Sequence, residues 1–172
     1  PLAGGVDRMM SRFANYGLVL ALVIVVLDLA SKTWMMALLQ ARGGMVDLLP
    51  VFKLVEVWNR GMSFGLFSDS GAKWALIGLA LAISAGIVWW LRTAGSWRQA
   101  MALGLVLGGA IGNVIDRLRF GAVYDFLYFH VGDWYWPAFN LADSAITVGV
   151  ALLVWDSLFE HGESPKKSLK AR

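Results

Sequence analysis

Residues 108–143 read GGAIGNVIDRLRFGAVYDFLYFHVGDWYWPAFNLAD, starting near the end of one apolar run and finishing inside another. Yet the stretch carries Asn113, Asp116, Arg117, Asp125, Asn140 and Asp143. Ionisable groups in or beside a bilayer-spanning segment are costly, so they face a cavity or a partner and mark a functional site. Polar residues crowd the junction of two apolar segments here, which places a site at the end of membrane helices.

The whole chain supports that setting. Its 172 residues are one domain's worth, and 58% hydrophobic content with mean hydropathy +0.62 is too apolar for a soluble fold of this size. There is no cysteine, so thiol nucleophiles, thiolate metal sites and disulfides within the chain are excluded. The net charge of +3 comes without a basic patch interleaved with aromatics, so no nucleic-acid partner is expected.

About 20 apolar residues cross a bilayer, and four segments are long enough: 16–39, 74–91, 99–115 and 137–155. The first is broken only by Asp28 and Lys32, at i and i+4 on one face; they form either a self-neutralising pair or part of a site, and the second is favoured. In the second, Gly78, Ala82 and Gly86 are spaced for close helix packing, and Gly104, Gly108 and Gly112 repeat the device in the third. Asn113 and Asp116 then share a face, with Arg117 one turn beyond Asn113 as the nearest basic balance for Asp116. Residues 120–137 read as a short aromatic connection whose Trp134, Tyr135 and Trp136 mark the entry of the fourth span. Asn140, Asp143 and Thr147 follow on one stripe. Counted from Trp136, Asp143 lies roughly 10 Å along a helix.

Residues 42–70 differ in character. Glycine and proline punctuate them, and VFKLVEVW is β-branched and aromatic without helical period, which predicts a strand or hairpin outside the membrane, ending in the Asn59-Arg60-Gly61 turn. Residues 1–15 are expected as a cytoplasmic leader and 160–172 as a cytoplasmic tail. Basic residues slightly favour the side of the two termini, so that side is taken as cytoplasmic.

The chemistry narrows by elimination. GMSFG, centred on Ser63, matches a serine-hydrolase elbow, but such an elbow needs a large α/β sheet for which the chain has no room. A zinc protease would need a motif such as H-E-x-x-H, and the only histidines are His130 and His161. Two carboxylates brought together share a proton and offer an acid and a base at once. Asp125 and Asp143 are such a pair, suited to peptide hydrolysis without a covalent intermediate. The competing class is a small proton- or cation-coupled transporter in which Asp28, Asp116 and Asp143 form a relay. Acids gathered toward one surface, rather than at the midplane of internal repeats, favour the protease.

LDLASK, WNRGMSFG, GGAIGNVIDR, AVYDF and FNLADSAI, in this order from about Asp28 to Thr147, resemble the successive motif blocks of the lipoprotein signal peptidases, the bacterial type II signal peptidases. The resemblance implies an α-helical polytopic membrane protein, with four transmembrane helices and a small extracytoplasmic β cradle, in the bacterial inner membrane. It implies an intramembrane aspartyl endopeptidase that removes the signal peptide of prolipoproteins just before a diacylglyceryl-modified cysteine, on the extracytoplasmic side. Carried over residue by residue, the implied catalytic dyad is Asp125 and Asp143. Asp28, Lys32, Asn59, Asn113, Asp116, Arg117 and Asn140 occupy supporting or substrate-binding positions. The implied partners are lipidated prolipoproteins and membrane lipids, with no metal and no cofactor, and a monomer is expected. Two positions depart from the pattern: Tyr124 stands where a small β-branched residue is usual, and Met62-Ser63 where alanines are common. Both bear on the shape of the groove rather than on its polar groups.

Overall fold

The computed structural model describes residues 3–61 and 69–159; Ser63 with its GMSFG motif and the tail from residue 160 lie outside the described residues. The described residues contain four helices: α1 (Ala3–Ala41), α2 (Asp69–Leu91), α3 (Trp97–Phe120) and α4 (Leu141–Phe159). Each is long and apolar enough to cross a membrane.

α3 is the hub, with α1, α2 and α4 all packed on it. Its glycines explain how. A Cβ on Gly104 would strike the Gly17 carbonyl of α1, one on Gly108 would lie 2.6 Å from the Ala21 carbonyl, and one on Gly109 would strike Ala142 of α4. Small residues let backbones meet where lipid supplies no hydrophobic drive of its own. On α1 the buried stripe is Gly17, Ala21, Ile24, Asp28, Lys32, Met35 and Leu39, a helical repeat with an ion pair in its middle. The small residues of α2 behave otherwise. Gly78, Ala82 and Gly86 are exposed, with nothing near a Cβ at either glycine, and α2 meets the bundle through Ile77, Ser84, Ile87 and Leu91. Small-residue spacing allowed a contact there that the larger apolar face makes instead.

The extended segments form one four-stranded antiparallel sheet, β1 (Met45–Leu49), β2 (Phe52–Asn59), β3 (Val123–Val131) and β4 (Trp134–Tyr135), in that order. Residues 120–137 are therefore not a plain connection. They supply β3, which pairs with β2 and is reached directly from α3 through Gly121, a left-handed cap at φ 78° whose N–H donates to the Arg117 carbonyl. Trp134, Tyr135 and Trp136 remain exposed, while aromatics before them serve the sheet: Phe129 stacks on Phe52, and Tyr128 on Tyr135. Met35 and Leu39 of α1 close a second core with Leu54, Tyr124 and Phe126, seating the sheet on the bundle.

Along β2 the register shifts between Leu54, opposite Leu127, and Val57, opposite Asp125. Three steps along one strand thus match two along the other, as in a β-bulge, a feature concentrated beside functional sites. Past the shift, Asn59 pairs with Val123 at the end of the ladder.

Candidate functional site

The helix ends and β3 meet around a polar core of unusual density. Lys32 of α1 is its cationic centre, 1% exposed, with its ammonium 2.7 Å from Asp28 Oδ2, 2.8 Å from Asp116 Oδ2 and 3.2 Å from Asn113 Oδ1. Asp28 and Lys32 are therefore not self-contained. Asp28 Oδ1 also accepts the Ala142 N–H in the first turn of α4 at 2.9 Å, a carboxylate at a helix N-terminus where unpaired N–H groups and the dipole favour it. Asp116 Oδ2 accepts the backbone N–H of Tyr124 at 3.2 Å and so pins β3 to α3.

These bonds correct the expected balance of Asp116. Its ionic partner is Lys32 from another helix, while Arg117 donates from Nη1 to the Asn113 carbonyl at 3.4 Å. A sequence neighbour points away around the helix, whereas a residue on the facing helix can point straight in.

Asn140 caps α4 and links the two remaining acids. Its N–H donates to Asp143 Oδ2 at 3.1 Å, and its Oδ1 accepts the Asp143 N–H at 2.9 Å, the reciprocal arrangement of a capping box. Its Nδ2 donates to Asp125 Oδ1 at 2.7 Å, with longer bonds to Asn113 Oδ1 and the Tyr124 carbonyl. Asn59 completes the shell from β2, donating to Asp125 Oδ2 at 3.1 Å, while its own Oδ1 accepts the Gly61 N–H. Asn113 donates to Asp143 Oδ1 at 2.8 Å. One continuous network thus contains Asp28, Lys32, Asn59, Asn113, Asp116, Asp125, Asn140 and Asp143, with Arg117 attached through a main-chain oxygen.

The two acids differ in setting. Asp125 is 1% exposed on β3, and burial, with the Asp143 carboxylate as a second cause, pushes its carboxyl up to about 6. Asp143 is half-buried in the first turn of α4. It does not lie two turns inside a helix: residues 137–140 are non-helical, and α4 begins at Leu141. The proline at 137 and the capping asparagine set that start.

Two grooves reach the acids. One, of about 540 Å³, runs along α4 past Asp143, Ser144, Thr147 and Val148, under residues 136–139. The other, of about 410 Å³, is lined by Asp125, Val57, Trp58 and Arg60. They share Asn59, Pro137 and Ala138. Thr147, expected on the acid stripe, lines the first groove and donates its hydroxyl hydrogen to the Asp143 carbonyl. His130 lies elsewhere, beside Asp47 and Lys53 near the β1–β2 turn. Sequence reasoning missed the backbone donors of Ala142 and Tyr124, which no side-chain pattern announces. It also missed Trp58, whose place directly before Asn59 was the available signal. Among the described residues no cluster of three or more histidines and acids is set to hold a metal ion.

Comparison with known proteins agrees along the length of the chain. Residues 20–159 match the signal peptidase (SPase) II family. The lipoprotein signal peptidase of Methylorubrum extorquens is 46% identical over 156 residues, 87% of this chain and 89% of that protein. That of Burkholderia thailandensis is 45% identical over 142 residues, 81% and 85% of the two chains. Among solved structures, one bacterial membrane enzyme superimposes with a TM-score of 0.74 at 26% identity, covering 84% of this chain and 93% of its own. A second gives 0.73 at 24% identity over 90% and 94%.

Proposed function

The chain belongs to the signal peptidase II family of bacterial membrane proteases, which process prolipoproteins, and from that premise we propose that Asp125 and Asp143 are its catalytic dyad. The observation that carries the reading is the Asn140 side chain, which donates to the Asp125 carboxyl and accepts the Asp143 N–H, holding acids from a strand and a helix against one another. Asp125, with its raised proton affinity, holds the shared proton. Asp143 is the base: it takes a proton from the attacking water while Asp125 gives its proton to the scissile carbonyl oxygen. The tetrahedral diol collapses when Asp143 passes the acquired proton to the leaving amine and Asp125 recovers its own.

The remaining polar residues position this pair. Lys32 polarises the Asn113 amide by bonding its oxygen, and that amide in turn holds Asp143. Asp28 and Asp116 fix α4 and β3 to the same ammonium-centred core. The bond cleaved is the one just before the diacylglyceryl-modified cysteine, whose lipid stays in the bilayer while the peptide unwinds into the groove. The chain is a single membrane domain acting as a monomer, with both termini cytoplasmic and the dyad at the extracytoplasmic surface. A transporter reading has less support, since the acids are tied together through Lys32, Asn113 and Asn140 and to the start of α4 rather than strung along a path.

Purified protein incubated with a lipidated preprolipoprotein should convert it to the shorter form on a gel. Asp125→Asn and Asp143→Asn should each abolish conversion while retaining a folded membrane protein. Substantial turnover by either variant removes that residue from the dyad.

A further inference from the structure

A helix that unwinds inside a membrane releases main-chain N–H groups that water cannot reach, and each then needs an acceptor from protein. The groove along α4 is where such acceptors would be used, because it starts at Asp143 and runs into an apolar span. Asp143, Ser144, Thr147 and Val148 stand at i, i+1, i+4 and i+5, so one face of the helix lines it, and helical side chains project outward from that face. Few of the lining side chains have an oxygen to offer. Trp136, Pro137, Ala138, Phe139 and Val148 have none, Asn59 Oδ1 already accepts the Gly61 N–H, and the Asp143 carboxylate is bonded by Asn113 and Asn140. Two hydroxyls remain. Ser144 donates its proton to the Asn140 carbonyl at 2.9 Å, and Thr147 to the Asp143 carbonyl at 2.8 Å. A hydroxyl carries one donor and two lone pairs, so each oxygen is left as an acceptor. They differ in place. Ser144 is half-buried beside Asp143, whereas Thr147 is exposed one turn deeper, about 6 Å further along the helix.

We propose that Thr147 is a substrate-binding residue, whose hydroxyl oxygen accepts a hydrogen bond from a main-chain N–H of the unwound signal segment. An extended chain advances about 3.3 Å per residue, which puts the contact about two residues before the cut. The proposal rests on the dyad reading, which fixes where the cut lies along the groove. Such a contact reads the backbone and not a side chain, so it serves different signal sequences alike. Because it is made on binding and kept through the reaction, its loss acts on KM and leaves kcat little changed, by about threefold to tenfold for one hydrogen bond.

The test uses the whole enzyme and a lipidated prolipoprotein peptide in which the N–H of each of the three residues before the cut is replaced in turn by an ester oxygen, with the scissile amide left intact. With the wild type, one of these substrates should show a KM about threefold to tenfold above that of the all-amide parent. Thr147→Val, which keeps the shape and removes the acceptor, should raise KM for the parent to the same extent and be indifferent to that ester, whereas Thr147→Ser should behave as the wild type. A wild type indifferent to all three esters, or a Thr147→Val enzyme that keeps the full ester penalty, would overturn the contact. Thr147→Ala gives the same readout if the valine variant fails to fold, and the wild-type series can refute the contact by itself. Asp125→Asn and Asp143→Asn assayed alongside keep the two readings apart: turnover by either sinks the dyad, while dead dyad variants with an ester-indifferent wild type sink only the contact at Thr147.

Discussion

Two residues of the network have roles that chemistry can separate. Burial, with the Asp143 carboxylate as a second cause, pushes the Asp125 carboxyl up to about 6, and the proposed dyad, which needs one protonated and one ionised member, would lose its acid as the pH rises through that value. The pH dependence of kcat/KM should therefore carry an alkaline limb near pH 6 for the free enzyme. Asn59 hydrogen-bonds the charged form and opposes the upward shift, so Asn59→Ala should move the limb to higher pH; an unmoved limb would separate Asn59 from the titrating acid. Lys32 has the opposite kind of importance. Lys32→Met would leave Asp28 and Asp116 buried without their shared cation, and breaking a buried pair from one side costs about 3–5 kcal/mol. Arg117→Ala removes one long bond to its own helix and a longer-range attraction to Asp143, Asp125 and Asp116, but strands no buried acid without its direct cation. Melting temperatures in detergent should rank Lys32→Met well below Arg117→Ala, and the reverse order would undo the assignment of Lys32 as the partner of Asp116. Most of this network was legible in the sequence, because acids, lysine and amides in or beside apolar spans have few uses, whereas Asn59 reads only as a turn residue outside the membrane and is marked by the family resemblance alone. The pairing was not: Arg117 adjoins Asp116 in sequence, and only the facing helix reveals Lys32.

Among the elements, α2 and α3 carry similar glycine spacings with opposite consequences. A methyl on Gly112 would sit 2.5 Å from Asp28 Oδ2, forcing α1 away from α3 or the carboxylate away from Lys32. Gly112→Ala should lower stability by about 1–3 kcal/mol, the range for overpacking, and reduce turnover with it. Gly78→Ala and Gly86→Ala meet nothing. In exposed helix interiors they should raise stability by up to about 1 kcal/mol through helix propensity. Thermal melts of the three variants check both statements, and destabilisation at Gly78 or Gly86 would point to a partner on that face. Four spans could be recognised from run length, and β2 from its β-branched content. β3 was harder, since VYDFLYFHV lies between two membrane helices in a stretch that reads as a short aromatic connection. The partner that makes it a strand is β2, more than sixty residues earlier, and one-dimensional patterns carry no record of pairing at that distance.

For the molecule as a whole, the proposed orientation can be checked directly. Tags at either terminus should be reached only from the cytoplasm, and a reporter at Asp69 only from outside; reversed labelling would invert the dyad's side of the membrane. The bridge made by Asn140 has a bearing on biogenesis as well. One acid enters with the last helix and the other with a strand that must find its place on the finished bundle, so neither helix insertion nor sheet formation alone yields a working centre. If the proposed dyad is right, a nascent chain would be inert toward neighbouring membrane segments until the sheet seats, and the onset of proteolysis would report the seating of β3.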